Sequence, residues 1–222
     1  MNRFANIGLA LLTLFTLTAF SVPAASAEEG VLAPETSSGT GGVATLETEK
    51  EQIQCKETKI LEAKFVTEKE KDQRGTAVLH LTGCKAEKLD PANTLGDESG
   101  VILIKVSYLI CLVEPKTLVF GVLIEPLETA HVEAPLIKAL MLIKGAVIAQ
   151  AKAGQANKGK EFTYLLKGEK GKQTEATKCE INGKEVKHTL ESAKDSEAKD
   201  GPASLAVTFT LTFPKEVEFM DS

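Results

Sequence analysis

The sequence predicts an all-β fold, either an antiparallel β-sandwich or an up-and-down β-barrel of about nine to eleven strands, stapled by disulfides. Three observations carry this expectation. Long segments alternate large apolar with small or hydroxylated residues at a period of two, which is the mark of a half-buried strand. An Asn-Gly pair joins two such segments and favours the positive φ angles of a hairpin turn. Four cysteines lie behind an export signal, where oxidising surroundings make disulfides the default.

The export signal comes first in the chain. Arg3 supplies the positive start, Ile7 to Phe20 the apolar middle, and Ala25-Ser26-Ala27 the small residues at which a signal peptidase cuts. The apolar run is shorter than the roughly 20 residues a membrane helix needs and contains three threonines. Cleavage after Ala27 is therefore expected, giving a secreted or cell-envelope protein with no transmembrane segment. Removing residues 1–27 leaves 195 of the 222 residues, enough for one good-sized core. With Arg3 gone, 25 basic residues face 31 acidic ones. That mild acidity argues against binding nucleic acid through bulk charge. Arg3 and Arg74 are the only arginines, so the planar fork that clamps phosphate is scarce as well.

Residues 28–45 are rich in small and turn-forming residues, and bury too little apolar surface to offset their ordering entropy. They are expected to be a flexible linker, with a single all-β domain over 46–222. Within that domain the clearest strand is Leu205, Val207, Phe209, Leu211 and Phe213 interleaved with Ser204, Ala206, Thr208, Thr210 and Thr212. Ala77, Leu79 and Leu81 repeat the pattern more weakly, and so do Phe162, Tyr164 and Leu166. The turn at Asn182-Gly183 places Ile181 opposite Lys184, Cys179 opposite Val186 and Thr177 opposite His188. Cys179, Ile181 and Val186 then share one face.

The centre is different. Val101–Val113, Leu118–Ile124 and Leu136–Ala149 are almost continuously apolar and are punctuated by Pro115, Pro126 and Pro135. Strands covered on both faces have this composition, as does a barrel wall packed inside and out. Residues 136–152 suit a helix by propensity. Gly145 and the valine and isoleucine after it favour a strand. Residues 191–202 form a polar loop before the final strand.

Four structural cysteines are expected: Cys55, Cys84, Cys111 and Cys179. If Glu68–Lys71 is a hairpin turn, Cys55 falls opposite Cys84, with a bulge at Gly83 turning Cys84 toward the inner face. Cys111 then pairs with Cys179. By chain entropy these two closed loops stabilise the fold by about 3.6 and 4.4 kcal/mol. The wide spacing of the cysteines fits neither a zinc site nor a redox pair.

Chemistry-bearing motifs are few. His80, His131 and His188 lie far apart in sequence and lack metal spacing. Gly168–Thr174 resembles a phosphate loop only superficially, because it lacks the first glycine and the Ser or Thr after lysine; a lysine-rich hairpin explains it better. Asp195-Ser196-Glu197 with Asp200-Gly201 lacks the ligand spacing of a calcium loop. Glu114, Glu125, Glu128 and Glu133 could supply paired carboxylates, although turn and edge positions explain them as well. With no tryptophan, and with Tyr108 and Tyr164 as the only tyrosines, an aromatic sugar platform is poorly provided for.

Cys55 ending an early strand, Leu81-Thr82-Gly83-Cys84-Lys85, Gly171-Lys172-Gln173-Thr174 and the closing Ala203–Phe213 together resemble uncharacterised secreted β-rich proteins seen in soil actinobacteria. The resemblance spans most of residues 50–213, without the extra cysteine-rich turn that many such proteins carry after the Gly-Cys element. It implies export and an all-β fold, and it supplies no activity. The leading expectation is a non-catalytic secreted or envelope-associated β-domain with a structural or binding role, its partner unknown, with no cofactor, metal site or catalytic residue. The alternative is an extracellular carrier of a lipid or other apolar small molecule inside a barrel, drawn from the apolar centre. A secreted hydrolase ranks third.

Overall fold

The computed structural model describes residues 37–68, 72–86, 90–136, 139–181, 183–187, 190–193 and 201–219. The expected signal peptide with its cleavage after Ala27, linker residues 28–36, Asn182, His188 and the acidic stretch 195–200 lie outside these residues. The described chain contains strands and no helix. In chain order the strands begin with β1 (Ser37–Gly41), β2 (Ala44–Thr48), β3 (Gln52–Cys55), β4 (Glu57–Glu68) and β5 (Asp72–Thr82). Three two-residue strands follow: β6 (Lys85–Ala86), β7 (Asp90–Pro91) and β8 (Asn93–Thr94). The apolar centre gives β9 (Val101–Glu114), β10 (Val119–Pro126), β11 (Ala130–Ala134), β12 (Ala139–Gly145) and β13 (Val147–Ala151). Then come β14 (Lys158–Leu166), β15 (Gly168–Glu169), β16 (Lys172–Gln173), β17 (Lys178–Ile181), β18 (Lys184–Lys187) and β19 (Leu190–Ala193). β20 (Gly201–Glu218) is the longest.

Eight of these close into an antiparallel barrel, β1-β4-β5-β9-β10-β13-β14-β20 and back to β1, so the wall follows chain order. Of the two architectures expected, the barrel is the one formed. A second antiparallel sheet runs β7-β6-β3-β2-β20-β19-β12-β11-β8, and its end strands flank the fully buried Ala92. β20 belongs to both sheets: residues 201–206 pair in the second sheet, and residues 207–218 in the barrel. At the changeover, Leu205 donates its N–H to Gln173 Oε1 at 3.1 Å, and Gln173 Nε2 donates to the Leu205 carbonyl at 2.9 Å. The glutamine amide thus stands in for a neighbouring strand where β20 passes between partners.

Twenty strands exceed the nine to eleven expected, for two physical reasons. Two-residue strands carry no periodic signal, and single apolar runs split at corners. Residues 139–151 show the second effect: they form β12 and β13, not a helix, and Gly145 ends β12 with a φ of 83°. Composition places residues 37–45 in the linker, yet they form β1 and the start of β2. The chain is ordered there because β4 and β20 offer unpaired backbone on either side. The expected polar loop 191–202 is likewise shorter, since β19 runs through Ala193 and β20 starts at Gly201.

The hairpin register around Asn182-Gly183 is as the turn chemistry requires, with Ile181 opposite Lys184 and Cys179 opposite Val186. Cys179 is buried, whereas Ile181 and Val186 are half-buried. In the β4–β5 hairpin the strands extend to Glu68 and Asp72, and residues 69–71 of the expected turn lie outside the described residues. The bulge falls between Leu61 and Lys64 and not at Gly83, which instead makes a bend with φ 65°. The bulge brings the Lys64 carbonyl against Gly75, over which the ring of Tyr108 also lies; a Cβ at Gly75 would collide with both. Only glycine fits there.

Candidate functional site

The barrel interior is the natural place to look for a binding site, because an eight-stranded barrel is wide enough either to be filled by side chains or to hold one small ligand. β20 points Val207, Phe209, Leu211 and Phe213 inward, each 6% exposed or less. β14 adds Phe162, Tyr164 and Leu166, and β9 adds Ile104, Val106 and Tyr108. Tyr164 stacks on Phe209 with ring centroids 5.6 Å apart, and Phe162 meets Phe213 edge-on at 5.8 Å. These residues belong to one continuous core shared with the second sheet.

What space remains is divided. A cavity of about 50 Å³, lined only by apolar atoms, sits among Ala77, Leu79, Val106, Ile124, Val207 and Phe209. On that scale one water needs about 10–15 Å³, so the cavity is far too small for an acyl chain. A second cavity of about 90 Å³ lies at the barrel end, under the β9–β10 turn and the β13–β14 loop. Outside the barrel, a groove of about 340 Å³ is lined by Gln52, Gln54, Lys56 and Lys85 beside Cys55.

The interior is hostile to charge. Burial pushes the phenol of Tyr108 well above the ordinary tyrosine range, and Tyr164, fully buried, is raised by burial and then by Tyr108 beside it. The Tyr164 hydroxyl finds no hydrogen-bond partner among the described residues. A group of either charge placed here would face the same desolvation cost.

The four cysteines form two bonds, Cys55–Cys84 and Cys111–Cys179, with Cα separations of 3.8 and 5.8 Å. Cys55 and Cys84 are 1% exposed and belong to the main core. Cys84 is further fixed by donating to the Gly100 carbonyl and accepting from Ala92. Cys111 points outward from the barrel wall, where Cys179 pins the β17–β18 hairpin over Leu123, Ala146 and Ile148 in a separate small core.

The remaining candidates do not converge. His80 is half-buried on barrel strand β5, while His131 is exposed on β11 of the second sheet. No group of three His, Cys, Asp or Glu able to hold a metal occurs among the described residues. Glu114, Glu125 and Glu128 are exposed at strand ends and turns. Glu133 is half-buried and accepts from Asn93 Nδ2 at 2.9 Å. Asp90, the one buried carboxylate among the described residues, accepts the Leu136 N–H at 3.2 Å and tethers the β11–β12 turn. Gly168–Thr174 forms the small β15–β16 hairpin, whose Lys170 N–H donates to Glu47 at 2.8 Å. No helix among the described residues is long and apolar enough to cross a membrane.

Sequence reasoning missed the aromatic cluster at the barrel end, where Phe120, Phe162, Phe213 and Phe219 meet. A signal was present: the odd-numbered inward phase of β20 resumes beyond Pro214 at Val217 and continues to Phe219 just past the strand, both 3% exposed. Compared with family models, curated proteins and solved structures, the chain matches none.

Proposed function

We propose that this chain is a non-catalytic β-domain of the cell exterior or envelope that acts through structure or binding. The supporting observation is the barrel interior, which its own side chains fill: Phe162, Tyr164 and Ile102 are at most 1% exposed, and the apolar cavity amounts to about 50 Å³. Two disulfides and a continuous core suit a domain that must persist outside the cell. Export rests on the signal at residues 1–27. Amino-terminal sequencing of the mature protein should start at Glu28.

Native mass spectrometry of the mature protein from a secreting host, followed by solvent extraction, tests the reading. The expected result is a bare chain four hydrogens lighter than the reduced form. A reproducible extra mass that extracts as one apolar compound overturns it in favour of the carrier. That second reading draws on one observation, the wholly apolar lining of the cavity in a closed barrel. It needs the side chains around Leu79 and Ile124 to part, since the space between them is too small for a lipid.

A further inference from the structure

The outer wall of the barrel differs in charge from the chain as a whole. On β4, β5 and β9 inward and outward residues alternate, and the register fixes which outward residues are neighbours. Lys59 lies opposite His80, and His80 opposite Leu103. Val78 stands between Leu61 and Lys105, and Thr76 between Lys64 and Ser107. A strand rise of about 3.3 Å and a strand spacing of about 4.8 Å put Lys59, Lys64 and Lys105 roughly 12 Å from one another. All three are exposed.

Lysines on β14 and β17 are neutralised by their neighbours: Lys158 meets Glu216 and Glu218 at 3.4 and 3.6 Å, and Lys178 meets Glu185 at 2.7 Å. Lys59, Lys64 and Lys105 make no ion pair among the described residues. Neither do the exposed Lys56 and Lys85, where this wall meets the second sheet. Glu57 and Glu62 are the exposed acids on the same stretch of β4, so five lysines stand against two carboxylates in a mature chain whose acids outnumber its bases 31 to 25. Lys56 and Lys85 also wall the groove of about 340 Å³, beside Gln52, Gln54 and the exposed Val43. Gln54 lies directly opposite Lys85 on the neighbouring strand. The groove is at the small end of the range that ligand pockets occupy, about 300–1,000 Å³.

These features define the partner. Separate ammonium groups suit a string of separate carboxylates, whereas the arginine forks that clamp phosphate are scarce. Nucleic-acid bases would need exposed rings to stack on, but both tyrosines are buried and tryptophan is absent. An amide beside two cations offers hydrogen bonds to sugar hydroxyls and charge to a sugar carboxylate, with no aromatic platform required.

We propose that this face binds a linear acidic polysaccharide, one sugar unit seated in the groove by Gln54, Lys56 and Lys85 and the carboxylates that follow met by Lys59, Lys64 and Lys105. The site gives the binding role proposed above a ligand class, and it rests on that reading. The probes are polygalacturonate and polyglutamate, the second a carboxylate chain without sugar rings, titrated calorimetrically into the mature, disulfide-intact protein.

Polygalacturonate should bind saturably at low salt and lose most of its affinity at high salt, where exposed charges are screened. Lys59→Gln, Lys64→Gln and Lys105→Gln combined should weaken it about five- to fifty-fold. The same charge change at the exposed Lys152, Lys160 and Lys215 should weaken it less than about two-fold. Gln54→Ala should weaken polygalacturonate about three- to ten-fold and leave polyglutamate unchanged. If the folded wild type shows no saturable binding, or if the two triple variants lose affinity equally, the face is overturned. Polyglutamate binding as tightly as polygalacturonate overturns the sugar. A polygalacturonate failure alongside a bare native mass removes this site and leaves the structural reading standing. An extracted apolar compound removes that reading whatever polygalacturonate does.

Discussion

β1 and β20 are neighbours in the barrel wall and do opposite work. β20 sends Val207, Phe209, Leu211 and Phe213 into the interior, whereas β1 sends Ser37 and Gly39. Gly39 lies opposite Leu211 and Gly41 opposite Phe209. A Cβ on Gly39 would come within 2.9 Å of Leu211 Cδ2 and 3.1 Å of Ile60 Cβ. An eight-stranded barrel encloses a fixed volume, so a wall strand this bulky needs a bare one beside it. β1 contributes backbone: it pairs with β20 on one side and β4 on the other, and so completes the closure. Pairing the wall and filling the interior are separable tasks, and these two strands divide them.

That division can be broken from either side. Phe209→Ala should have the largest effect, a loss of about 3–5 kcal/mol in urea unfolding, because it removes a ring that stacks on Tyr164 and faces a strand unable to refill the space. A loss under about 1 kcal/mol would mean that the interior is loosely packed and that the carrier reading gains. Gly39→Val tests the bare strand and should cost about 1–3 kcal/mol through overpacking. If it stabilised the protein, the fixed-volume argument would be wrong.

The packing around Phe209 also sets an alkaline limit. Tyr108 and Tyr164 are both held above the ordinary range, while an unfolded tyrosine ionises near pH 10. Once the pH passes about 10, the folded form keeps protons that the unfolded form has lost. Stability is therefore complete below that pH and should fall above it by about 1.4 kcal/mol per pH unit for each phenol. Tyr164→Phe should halve the slope, and tyrosinate absorbance in the folded protein at pH 10 would show that water reaches the core. The smallest effect belongs to the outer face of β1. Thr40→Val should stay within about 0.5 kcal/mol by thermal melting, and a larger change would mean that β1 does more than lend backbone.

The same pair of strands marks how far the sequence could be read. β20 is legible because alternation of large apolar and hydroxylated residues has no other common explanation. β1 is not, because Ser37-Ser38-Gly39-Thr40-Gly41 has a linker's composition, and its order comes from strands that are distant in the chain. The Cys55–Cys84 pair and the Asn182-Gly183 register were accessible through turn geometry, which is local, and Cys111–Cys179 followed by elimination. The barrel-end aromatic cluster was only half legible: the phase of β20 carries on to Phe219, but Phe120 and Phe162 come from separate segments whose spacing does not announce the meeting. The changeover amide of Gln173 was hidden for the same reason. Its role exists only because β20 leaves one sheet for another at Leu205.

Because β20 is a member of both sheets, neither can come apart without taking a shared strand from the other. Amide hydrogens along Leu205–Thr212 should therefore exchange only through global opening, at one common free energy, whichever sheet they point toward. An organism or an engineer could alter the loops at either end of this molecule and keep that common fate. Cutting the chain within β20 would turn one cooperative unit into two incomplete ones.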